Sequence, residues 1–296
     1  MLNSKGIQWL LKDKPATGGL ILISLFVITA ILAPILSPYD PVEMDLPNRL
    51  RGISREHWMG TDGFGRDVLS RIIYGTRLSL TTAFAVTVLI TSIGVIVGGV
   101  AGYFGGLVDE LLMRVVDILL AFPKIILALA IVAVLGPSLR NLVMALALTG
   151  WVSYSRVIRG LVLSFREKEF IQAAKAIGCG DPRILAHHII PNVMAPVIVL
   201  ATLDMGHVIL SISALSFLGL GAQPPTPEWG AMLNEGRPFM QSAPHLMIFP
   251  GLMIMLTVLA FNLLGDGLRD ALDPYYVRES VIYEQGKSDV PYQALR

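Results

Sequence analysis

FREKEFIQAAKAIGCGDPRILAHHIIPN, residues 165–192, is a polar segment set between two long apolar runs. It opens with the mixed charges of Arg166, Glu167, Lys168 and Glu169, passes through the small residues Ala173, Ala174 and Gly178, and stops at Pro191. A polar helix with small residues on one face, hung between two membrane spans, is suited to docking against another protein rather than to lying in lipid. The rest of the chain sets the context in which such a handle makes sense.

Of the 296 residues, 54% are hydrophobic and 15% charged, and the mean hydropathy is +0.65. A soluble domain carries roughly a quarter charged residues, so the composition points to a polytopic membrane protein in contact with lipid. The net charge of +1 offers no basic surface for nucleic acid, and nucleic-acid binding is excluded. The single cysteine, Cys179, cannot form an intrachain disulfide and reads as a passive thiol.

Lys5, Lys12 and Lys14 ahead of an apolar run imitate a signal peptide. Residues 17–36, however, are uncharged over about 20 positions, enough to cross roughly 30 Å of hydrocarbon, and read as a retained anchor. Five further spans follow at 78–107, 111–136, 141–163, 193–217 and 246–265, each bounded by charges. The fold class is therefore an all-α membrane protein with six transmembrane helices. In the second span Gly94, Gly98, Gly102 and Gly106 recur every fourth residue, a smooth stripe that lets a neighbouring helix come close. Pro123 predicts a kink in the third span.

Basic residues in short loops resist translocation. Lys5, Lys12 and Lys14 place the N-terminus inside, and six crossings return the C-terminus to the same side. The organisation is then a cytoplasmic N-terminus 1–16, a first helix 17–36, an extracytoplasmic loop 37–77, a five-helix core 78–265 containing the cytoplasmic loop 164–192, and a cytoplasmic tail 266–296. The outer loop carries six basic and six acidic residues, a balanced charge that permits translocation.

No catalytic constellation is present in the sequence. Gly286, Lys287 and Ser288 spell the end of a phosphate-binding loop, but the required earlier glycine falls on Val281. The chain is read as a non-enzyme without a bound cofactor, and another subunit must supply energy. Within residues 165–192, Gln172, Ala173, Ala174, Gly178, Ile190 and Pro191 resemble the Glu-Ala-Ala loop of ABC importer permeases, with Gln172 in place of glutamate and Ile190 in place of leucine. Gly178 lets the chain turn between two short helices, and Asp181 is expected as the N-cap ahead of Pro182. TDGFGRDVLSRIIYGTRLSL (61–80), LSFLGLGAQPPTPEWGAML (215–233) and LAFNLLGDGLRDALDP (259–274) are similar to the permease subunits of the peptide, opine and nickel importers.

That resemblance implies a type I importer permease fold with a cytoplasmic coupling helix. It also implies a second homologous permease as partner, two ATP-binding subunits that carry ATP and magnesium, and an extracytoplasmic binding protein. WVSYSR (151–156) and ATLDMGHVIL (201–210) resemble the nickel and metallophore branch more than the dipeptide branch, so short peptides and peptide-like nickel chelates are both expected as cargo. Charges inside spans are costly and mark function by default. Asp204 and His207, three residues apart, either contact a polar cargo or merely pair with each other or with the partner permease, and Lys124 either faces the aqueous path, snorkels or pairs with an acid. No metal site is expected from two such groups. A proton-driven secondary transporter using Asp204 and His207 as a relay is the competing class.

Overall fold

The computed structural model describes residues 13–272. Lys5, Lys12, the 273–296 part of the expected tail and the Gly286–Ser288 motif lie outside the described residues. The described chain is helical, with one isolated bridge between Thr61 and Asp67 and no strand.

Helix α1 (Lys14–Ile31) starts at the Asp13 cap, whose carboxylate accepts from the Ala16 N–H at 3.3 Å. It does not run unbroken to residue 36. Pro34 lacks an N–H and its ring would crowd the carbonyl four residues back, so the chain breaks at Leu32 and resumes as α2 (Ala33–Leu36). Helix α3 (Val68–Phe104) has 37 residues, about 55 Å at 1.5 Å per residue, and its Asp67 cap accepts from Ser70 N–H and hydroxyl at 2.8 and 2.7 Å. The expected start at residue 78 assumed that Arg71 and Arg77 lie outside the helix. Arg71 is instead inside it, buried and ion-paired, so the helix begins ten residues earlier.

Residues 106–135 form two helices, α4 (Gly106–Leu120) and α5 (Lys124–Leu135), which meet at 85°. Pro123 is at that junction as expected, but the result is a break rather than a kink. Helix α6 (Leu139–Arg166) follows, capped by Ser138, which accepts from the Asn141 N–H at 3.1 Å. Next come α7 (Glu169–Ala176), α8 (Asp181–Ile184), a π turn over Leu185–Ile189 and α9 (Ile190–Phe217). The last three are continuous over Asp181–Phe217, so the span expected from residue 193 is rooted twelve residues earlier. The chain ends its described part with α10 (Trp229–Gly236) and α11 (His245–Leu272).

Among the described residues four helices are long and apolar enough to cross a membrane: α1, α3, the Asp181–Phe217 helix and α11. The α4–α5 pair makes a fifth if it counts as one span. Helix α6 has the length, at 28 residues. Thr149, Tyr154, Ser155, Arg156 and Arg159 make it more polar, and its buried face packs on its neighbours while Met144, Leu148 and Val157 stay exposed.

Close helix contacts fix the direction of each pass. A Cβ at Gly94 would lie 2.5 Å from the Tyr154 Cβ, and one at Gly102 would lie 2.8 Å from the Arg159 carbonyl oxygen, so α3 and α6 run parallel with backbones touching. Gly106 does not belong to this seam, because it opens α4 with a positive φ and faces open space. Since α3 and α6 are parallel, α4 and α5 must carry the chain back between them. Gly19 of α1 lies against Ala260 and Leu264 of α11, and Ala16 packs with Ala271. The two described chain ends therefore sit together at one end of the bundle, called the foot here, with Gly105 and Gly178. Residues 37–67 and α10 occupy the opposite, loop end.

Candidate functional site

The polar segment is built as a short helix anchored by one side and free on the other. Ile171 and Ala174 of α7 are buried against the bundle, whereas Phe170, Gln172, Ala173, Lys175 and Ala176 are exposed. Ala173 and Ala174 thus face different ways, and the expected single small-residue face divides into an anchor and an outer surface. Gly178 takes φ +80° with nothing within 4 Å of a built Cβ, so its requirement is backbone conformation and not space. The turn is closed by Gly178 N–H donating to Lys175 C=O at 2.9 Å and Cys179 N–H to Ala174 C=O at 3.0 Å. Next to it Ile177 is 86% exposed, a large apolar residue presented at the tip. Gln172 Nε2 donates to the Arg166 carbonyl at 3.3 Å.

Asp181 corrects one expectation. Gly180 holds the cap position of α8 and Asp181 is the first helical residue, where its carboxylate caps nothing and accepts from the Tyr103 hydroxyl at 2.6 Å. Pro191 is exposed in the first turn of α9. Its missing N–H leaves the helix unable to bond in normal register there, and the π turn precedes it, with Asn192 Nδ2 donating to the His188 carbonyl at 2.6 Å.

The charges inside the apolar segments sort differently from one another. Asp204 is half-buried and accepts from the Tyr154 hydroxyl of α6 at 3.3 Å, whereas His207 is exposed. No hydrogen bond joins the two among the described residues, although their i, i+3 spacing puts them on one face of the helix. An apolar groove of about 630 Å³ opens between α1, α3, α9 and α11, bordered on α9 by Ala201, Thr202 and Met205. Asp204 turns away from it toward Tyr154. Lys124 is the first residue of α5, half-buried, with no acid in ion-pair reach among the described residues. Asp117, seven residues before it, pairs with Arg156 of α6, and Asp109 takes the Arg159 guanidinium at 2.5 Å through both oxygens. These two bridges tie α4 obliquely across α6.

The most heavily buried charges are at the loop end, within and beside the 61–80 and 215–233 segments, whose sequences carry a family resemblance but do not announce an ion-pair cluster. Arg66 and Arg71 are each 1% exposed. Arg66 Nη2 donates to Glu235 Oε2 at 2.5 Å and its Nε to Asp62 Oδ2 at 2.6 Å, while Arg71 Nη2 donates to the same Glu235 oxygen at 2.9 Å. Arg71 Nη1 adds the carbonyls of Pro41 and Pro225 at 3.2 and 3.1 Å. Two guanidiniums against two carboxylates hold residues 41–66, α3 and α10 as one body. Beside them Glu228 is fully buried as the cap of α10, accepting from the Gly230 and Ala231 N–H groups at 3.0 Å each. Burial pushes its carboxyl above the ordinary range, opposed by those two N–H groups and by Ser216 and Ser79. Trp229 is buried with its ring against Gly75 and its Nε1 donating to the Ile72 carbonyl at 3.4 Å. The available signal was the pattern of acids and arginines in 61–80 and 215–235, which pairs only when the two segments are brought together in space.

Residues 94–278 match the family described as binding-protein-dependent transport system inner membrane component. That region contains the α3–α6 seam, the polar segment and α10. The chain belongs to this family. Residues 7–52 match a second description, the N-terminal transmembrane domain of oligopeptide transport permease C. A dipeptide transport system permease protein of Alkalihalophilus pseudofirmus is 54% identical over 270 residues, covering 91% of this chain and 89% of its own. A glutathione transport system permease protein of Escherichia coli is 47% identical over 253 residues, covering 85% and 84%. A nickel transport system permease protein of Escherichia coli K12 is 44% identical over 260 residues, covering 88% and 94%. The chain is thus a non-catalytic, multi-pass permease subunit of an inner-membrane ABC transport family.

Proposed function

We propose that this permease forms half of the translocation pore of an importer for short peptides or peptide-like metal chelates, and that partner ATPases work it through α7. The observation that carries the reading is the build of α7. Ile171 and Ala174 root it in the bundle, and Phe170, Gln172, Ala173 and Ile177 are left as an exposed outer surface beside a glycine held at φ +80°. A subunit that hydrolysed ATP itself would need reacting groups, whereas one driven from outside needs a rigid handle. Displacing α7 moves α6, which leads into it, and α9, which leaves through α8.

In this reading the chain makes six crossings. With α3 and α6 parallel, the path runs α1 up, α3 down, α4 and α5 up, α6 down, α9 up and α11 down, and both ends of the described chain return to the foot. Lys14 and the basic residues of 164–192 also lie at the foot, so the foot is the cytoplasmic side and the loop end the extracytoplasmic one. The partners are a second homologous permease, two ATP-binding subunits that carry ATP and magnesium, and a binding protein that delivers cargo at the loop end. Cargo of several chemistries is consistent with relatives named for dipeptide, glutathione and nickel, and the 54% relative named for dipeptide weighs against the nickel leaning of residues 151–156 and 201–210.

The test is Gly178→Val. A β-branched residue at φ +80° costs on the order of 1–3 kcal/mol of backbone strain and must shift the turn. Uptake is expected to be lost at wild-type membrane abundance. Wild-type uptake by this variant would sink the assignment of the turn to coupling.

A further inference from the structure

The polar segment is joined by the chain only to α6 and α9, yet the structure ties it to a third helix. At the foot, Tyr103 of α3 is buried between the two sides of the Gly178 turn. Its hydroxyl donates to Asp181 Oδ1 at 2.6 Å, after the turn, and its ring lies 5.5 Å below the Lys175 ammonium, before it. Arg166, the last residue of α6, donates from Nη1 to the Gly102 and Tyr103 carbonyls at 3.4 and 3.3 Å, occupying acceptors that a helix end leaves open. Gly105 then ends α3 with φ +66°.

The far end of the same helix is also fixed, since Arg71 binds Glu235 of α10 and the Pro225 carbonyl. Both attachments lie on one uninterrupted helix of 37 residues. A rod held at both ends transmits displacement, provided that each attachment is short and directional. At the foot the directional contact is the Tyr103 hydroxyl on a carboxylate, a charge-assisted bond.

We infer that Tyr103 is a positioning residue that makes α3 move with the coupling segment, so that displacement of α7 reaches the loop end along α3 as well as through α6 and α9. The inference rests on the reading of α7 as the ATPase dock. It assigns Tyr103 no contact with cargo or nucleotide.

The test uses the complete importer, with both permeases, both ATPases and the binding protein, in proteoliposomes. Cargo moved per ATP hydrolysed is measured for Tyr103→Phe, Asp181→Ala, Asp181→Asn and the Y103F/D181A double variant, together with ATPase retention on purification. Y103F and D181A are expected to lower the ratio roughly five-fold. The double variant is expected to fall no further, and D181N to stay near wild type because its amide oxygen still accepts the hydroxyl. A wild-type ratio in Y103F and D181A, an additive double variant, or ATPase lost from purified Y103F would each overturn the inference. Cross-linking of Ala173→Cys, in a Cys179→Ser background, to an ATPase subunit separates the two levels. Capture with an unchanged ratio sinks Tyr103 alone, and no capture sinks the docking reading and this inference with it.

Discussion

Replacing Glu235 by alanine would expose how much the loop end depends on one carboxylate. Arg66 and Arg71 both donate to Glu235 Oε2, at 2.5 and 2.9 Å, and each is 1% exposed. Removing the acid leaves two buried guanidiniums facing Asp62 alone, with Arg66 at 2.6 Å and Arg71 at 3.5 Å from its Oδ2. At an effective dielectric constant of 20 each ion pair at about 4 Å contributes roughly 4 kcal/mol of gross attraction. Part of this offsets desolvation, and truncating one member of a buried pair costs about 3–5 kcal/mol net. For a domain of this size that corresponds to a fall in Tm of roughly 10 °C. Thermal unfolding of the detergent-solubilised permease measures it. Arg66→Met combined with Glu235→Leu removes one charge of each sign and should be milder than Glu235→Ala alone. A Glu235→Ala Tm within about 2 °C of wild type would refute the cluster as the clamp between residues 41–66, α3 and α10, since that shift corresponds to less than about 1 kcal/mol.

Two other perturbations address the seam and the buried cap. Gly98→Val forces a side chain against the Ser155 carbonyl and within 3.0 Å of the Arg159 nitrogen. It should cost roughly 1–3 kcal/mol or more and lower Tm, whereas the same change at Gly160, which faces open space, should leave the α3–α6 packing intact. Glu228 has its folded-state pKa raised above 4.5 by burial, so the fold binds its proton more tightly than the unfolded chain does. The stability this contributes is present below pH 4.5 and is lost as pH rises toward the folded value. Tm of wild type relative to Glu228→Gln should therefore decline as pH is raised from 4 to 8, and a flat difference would contradict the burial account.

How far the sequence reveals the structure depends on whether the deciding contact is local. The apolar runs, the interruption at Pro123 and the turn at Gly178 are local properties of backbone and hydropathy, and each is present, although Pro123 breaks the span instead of kinking it and several of the runs change their bounds. Helix boundaries set by charges fail at Arg71, because a charge marks a helix end only if it is solvated, and Glu235 lies 164 positions away. Asp181 shows the same limit. A cap is read from its own neighbours, but this carboxylate is claimed by Tyr103, 78 positions away. Asp204 and His207 share a helix face by spacing, yet Tyr154 takes one and leaves the other exposed. The Gly94–Gly98–Gly102 seam was legible as a stripe, whereas its partner, α6, was not.

The central claim is that this permease moves cargo on ATP hydrolysed by its partners. Uptake by proteoliposomes holding the assembled importer, with its binding protein outside and ATP inside, tests it most directly. The account predicts uptake that requires internal ATP and persists when an uncoupler collapses the proton gradient. Uptake without ATP that the uncoupler abolishes would contradict it and return the chain to a proton-driven mechanism.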